Sequence, residues 1–82
     1  MKILIEVMTP GNGKTYELLI DDRQTVGAAK GKIIEQIQSF EDGCISFGID
    51  AALFEPISRT WLHDCSNIRK AGIKGGQRLF LL

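Results

Sequence analysis

Neither sign of charge is in excess in this sequence: ten Lys and Arg balance ten Asp and Glu. A chain without net charge sets up no global field to draw in nucleic acid or anionic lipid, so only local clusters remain to be considered. Cysteine is scarce as well. Cys44 and Cys65 lie far apart without CxxC spacing, and a small secreted disulfide domain normally carries more. Both are expected to be reduced and partly buried, with Cys44, beside Ile45 and Phe47, the more buried thiol. Long apolar runs are missing. The opening segment, Met1 to Val7, meets polar turn residues too soon to serve as a secretory leader or to span a bilayer. The expected setting is therefore the cytoplasm, with no direct membrane insertion. Repeats, linkers and low-complexity tracts are also missing, which leaves residues 1–82 as a single domain.

What is present is globular in balance, 44% apolar and 24% charged. A chain this short buries only roughly 60–65% of its unfolded surface, so most of its apolar positions must contribute to the core. Residues 2–8 alternate, with Ile3, Ile5 and Val7 on one side and Leu4, Glu6 and Met8 on the other, which predicts a strand. Thr9 to Gly13 is a turn by composition, and Lys14 to Ile20 alternates again with Tyr16, Leu18 and Ile20 on one face. Together they predict a hairpin. Val26, Ala29, Ile33 and Ile37 recur at helical spacing, so Val26 to Phe40 is predicted helical, capped by Thr25 with Asp22 as a competitor. Gly27 and Gly31 inside it point to tight packing against the sheet. Gly43 suits a left-handed exit. Cys44 to Ile49 reads as a third strand, Arg59 to Leu62 as a short one, Asn67 to Ala71 as one helical turn, and Leu79 to Leu81 as a closing strand. Residues 50–58 are the least legible, and Pro56 argues against a regular central strand through them. The sum is an α+β roll in which one helix packs across a mixed sheet of four to five strands. Its predicted core is Ile3, Ile5, Tyr16, Leu18, Ile20, Val26, Ile33, Ile73, Leu79 and Leu81.

Catalytic and ligand-binding patterns find little support. Gly11-Asn12-Gly13-Lys14-Thr15 ends like a phosphate-binding loop, but Met8 stands where the first glycine belongs, and a strand follows instead of a helix. His63, Asp64 and Cys65 are adjacent, and adjacent side chains rarely converge on one centre. Even with Cys44 they lack zinc-ligand spacing and read as an exposed loop histidine beside a packed cysteine. Asp21 and Asp22 are explained by solvation and capping. The expectation is no enzyme, no cofactor and no metal. Arg69, Lys70, Lys74 and Arg78 form a modest basic cluster, read as a solvated face and not as a nucleic-acid site.

Two separated blocks narrow the fold. Gly13 to Ile20, with Thr25, Val26, Ala29 and Ile33, and then Ile68, Ile73, Leu79 and Leu81, resemble the hairpin, helix start and final strand of ubiquitin-like β-grasp domains. The block from Ala71 to Leu79 is similar to the YukD/EsaB group, bacterial cytoplasmic accessory proteins of type VII (WXG-type) secretion systems. Conjugated members of the superfamily end in a mobile Gly-Gly tail beyond the last strand. Here Gly75 and Gly76 precede that strand and Leu81-Leu82 supply a bulky, strand-bound end in place of a tail, so the expectation is a non-conjugating protein-binding module. The resemblance implies a partner-binding face at Met8, at Ile45 or Phe47 on the third strand, and at Phe80 and Leu82 on the last. The alternation supports an outward Phe80 and Leu82. The implied partner is a protein, such as a secretion ATPase or membrane component. Two alternatives stay open: a sulfur carrier or protein modifier that lacks its tail, and a structural domain that forms homodimers through its apolar face. Phe54 and Trp61 are read as local packing for the irregular segment.

Overall fold

A computed structural model describes residues 1–43, 47 and 51–82. The first alternating runs pair as expected: β1 (Lys2–Thr9) lies antiparallel to β2 (Lys14–Asp21). The register sets Ile3 opposite Ile20, Ile5 opposite Leu18 and Val7 opposite Tyr16, so all six meet on the inner face. The intervening turn closes where the Thr9 carbonyl accepts from the Asn12 and Gly13 amides, at 3.2 and 2.9 Å. Gly13 has φ of 68°, a left-handed conformation that glycine adopts without a Cβ penalty.

The helix α1 (Val26–Phe40) buries Val26, Ala29, Ile33 and Ile37, the stripe seen in the sequence. Thr25 caps it, its hydroxyl oxygen accepting from the Ala28 amide at 3.2 Å. Asp22 does not compete for the cap. It is buried, and its carboxylate accepts from the Arg69 guanidinium at 3.2 and 3.3 Å. The two glycines part company. A Cβ at Gly27 would stand 3.2 Å from Cβ of Asp64, so the tight contact is with a loop and not with the sheet, whereas a Cβ at Gly31 would meet nothing within 4 Å. The helix leaves through Asp42 and Gly43, both at positive φ, with the Gly43 amide donating to the Gln38 carbonyl at 2.8 Å.

Beyond the helix the sequence reading needs correction. Of the run from Cys44 to Ile49 only Phe47 is described, and it is not in a strand; the others, Ile45 among them, lie outside the described residues. The next strand among the described residues is β3 (Leu53–Glu55), which stops one residue before Pro56 and so never needs the amide that proline lacks. β4 (Thr60–Trp61) returns antiparallel to it. One turn at residues 67–72, in which the Ala71 amide donates to the Asn67 carbonyl at 2.9 Å, leads towards β5 (Arg78–Leu81).

Among the described residues, five strands form one sheet in the order β2-β1-β5-β3-β4. β5 runs parallel to β1 and antiparallel to β3, making the sheet mixed. This is an α+β, ubiquitin-like β-grasp arrangement. All ten residues expected in the core are buried, joined by Val7, Ala29, Ile37, Ala51, Leu53 and Ile68. Inner residues of the strands and the apolar stripe of α1 belong to this one cluster, which leaves the other sheet face to water.

Candidate protein-binding face

Strand alternation fixes what the outer face displays. With Ile5 and Val7 buried, β1 turns Leu4, Glu6 and Met8 outward; with Leu79 and Leu81 buried, β5 turns out Arg78 and Phe80. β3 buries Leu53 and Glu55 and turns out Phe54. Register then lines these positions up across four strands: Met8 opposite Phe80, Phe80 opposite Phe54, and Phe54 opposite Trp61. The aromatic members touch. Ring centroids of Phe80 and Phe54 lie 6.5 Å apart and nearly parallel, and those of Phe54 and Trp61 lie 5.0 Å apart and tilted. Met8, Phe80 and Phe54 are half-buried, while Trp61 remains 52% exposed. Leu82, two residues beyond Phe80, is also exposed, and its backbone amide and carbonyl both pair with Ala52 at 2.9 Å.

Two of the residues expected at a partner face, Met8 and Phe80, are therefore brought opposite each other, and Leu82 lies exposed two residues beyond Phe80. Phe47, expected beside them, is half-buried and packs against the core. Phe54 and Trp61 were missed as members of this face. They do pack on each other, as local packing requires, yet they do so on the outer side of the sheet in line with Phe80. The signal was their placement either side of Pro56-Ile57-Ser58-Arg59, as the facing positions of a hairpin, but three- and two-residue strands show too little alternation to reveal it.

The ends of the row are rigidly made. Glu55, though a carboxylate, is only 4% exposed. It accepts from the Ser58 hydroxyl at 2.5 Å, the Ser58 amide at 2.6 Å and the Ile57 amide at 3.1 Å, with Gln77 Nε2 at 3.4 Å. The bond from the Ser58 hydroxyl, then that from its amide, hold the Glu55 pKa below the ordinary glutamate value. This carboxylate fixes the β3–β4 turn and leaves Ile57 at its tip 84% exposed. At the other end, the Thr9 hydroxyl bonds the Asn12 side chain, Asn12 Nδ2 donates to the Tyr16 hydroxyl at 3.2 Å, and that hydroxyl donates to Glu41 at 2.8 Å. Lys14 Nζ reaches both Glu41 oxygens at 2.9 Å. The turn following Met8 is thus clamped to the end of α1, and the segment resembling a phosphate loop is a hairpin turn.

Beside the apolar row runs a charged one. Glu6 lies directly opposite Glu17 in β2, an unfavourable like-charge pair, and Arg78 from β5 offsets it through Nε at 3.0 Å from Glu6. Arg69 and Arg78, grouped in the sequence, are separated here: one serves Asp22, the other Glu6. Arg23 in turn binds Asp21, holding that carboxyl well below the usual aspartate range. His63, Asp64 and Cys65 are all exposed, so Cys65 is not the packed cysteine expected. Asp64 is engaged by Lys30 Nζ at 2.9 Å, which also donates to the Ala51 carbonyl. Among the described residues no three His, Cys, Asp or Glu side chains converge as metal ligands. No described helix is long and apolar enough to cross a membrane.

No protein-family model matches the chain, and no curated protein matches it. Solved structures do. The chain is similar to the EccD5 ubiquitin-like domain from Mycobacterium xenopi, with a TM-score of 0.79 at 12% identity over 100% of this chain and 93% of that one. It is similar to a chain of the MycP5-free ESX-5 inner membrane complex, with a TM-score of 0.77 at 20% identity, covering 99% of this chain and 20% of that one. It is also similar to the ubiquitin of Caldiarchaeum subterraneum, with a TM-score of 0.69 at 19% identity, covering 99% and 91%. At such identities the likeness shows the fold, which is ubiquitin-like.

Proposed function

We propose that this ubiquitin-like domain binds another protein without covalent attachment, through the row Met8, Phe80, Phe54 and Trp61 together with Leu82. The observation that carries the reading is the alignment of those side chains across four strands on the face opposite the helix. An exposed apolar patch built on rigid strands suits partner contact, and aromatic side chains offer large contact area at little entropic cost. The partner proposed is a type VII (WXG-type) secretion component, an ATPase or membrane subunit, met in the cytoplasm, with the domain as an accessory or regulatory element like the YukD/EsaB group. Likeness in fold to the EccD5 domain and to a chain of the ESX-5 inner membrane complex supports that assignment.

The test is affinity capture from the native cells with wild type and Phe80→Ser. The variant is expected to keep its far-ultraviolet circular dichroism and its cooperative melt while losing a secretion component that the wild type retains without a covalent bond. Undiminished capture by a folded Phe80→Ser variant overturns this face. The single tryptophan gives an independent readout, because docking over Trp61 shifts its emission to shorter wavelength. Capture with unchanged Trp61 emission means that the partner sits elsewhere.

A further inference from the structure

We draw no further inference here: the strongest candidate, the β3–β4 turn that holds Ile57 out in water beside the aromatic row, belongs to the face already described, and nothing in the structure shows what covers it.

Discussion

Gly27 and Gly31 occupy the same helix four residues apart, and their surroundings assign them opposite responses to alanine. At Gly31 the new methyl meets open space, and the gain is the ordinary helix-propensity difference, about 0.5–1 kcal/mol. At Gly27 the methyl approaches Asp64 Cβ to 3.2 Å and its carbonyl oxygen to 3.3 Å, where the Gly27 amide also donates to that carbonyl. The loop must yield, and Lys30 holds the same Asp64 side chain. Urea unfolding should therefore show Gly31→Ala more stable than wild type and Gly27→Ala no better than wild type. Equal gains at both positions would mean that the loop at Asp64 is not packed as described. The sequence marks both glycines as costly to a helix; only the neighbour from a distant loop separates them.

Elements differ in how plainly the sequence announces them, and length explains most of the difference. β1, β2 and α1 run for eight, eight and fifteen residues, long enough for a period of two or of 3.6 to be read from their apolar positions. β3 and β4 have three and two residues, and their register comes from neighbours: Leu53 is opposite Leu81, and Glu55 is opposite Thr60. Pro56 argues against a regular central strand through residues 50–58; β3 does lie inside the sheet, between β5 and β4, but it ends at Glu55 and the chain turns at the proline. What no local pattern conveys is that a glutamate would be the buried centre of that turn. Replacing Glu55 by Gln puts an amide donor among the donors of Ser58, Ile57 and Gln77, so the turn should lose its order before the sheet does. Amide exchange measured by NMR should quicken at Ile57 and Ser58 in Glu55→Gln and stay slow in β1. Unchanged protection at the turn would show that the carboxylate does not hold it. The candidate face follows the same logic: Phe80 was legible from alternation, whereas Phe54 and Trp61 enter only through cross-strand register.

For the molecule as a whole, four carboxyls respond together to pH. Asp21 is lowered chiefly by the Arg23 side chain, Asp22 by Arg69, Glu41 by Lys14 and Glu55 by the Ser58 hydroxyl. Each binds its proton more weakly in the folded state than in the unfolded one. Their contribution to stability is therefore complete above the unfolded values, about 4, and is lost as pH falls through the lowered folded values. Thermal melts should be nearly level from neutral pH to about 5 and then decline steeply below about 4. A midpoint that stays level down to pH 2 would contradict these pairings. At the same scale, β1 and β5 lie side by side and parallel in the middle of the sheet, joined by the Glu6 amide to Gln77 and the Gly76 amide to Leu4. A force applied between the start of β1 and the end of β5 draws the two strands past each other along their length, loading these bonds in shear and not one after another. A domain held at those two points resists being pulled apart through all of its central bonds at once.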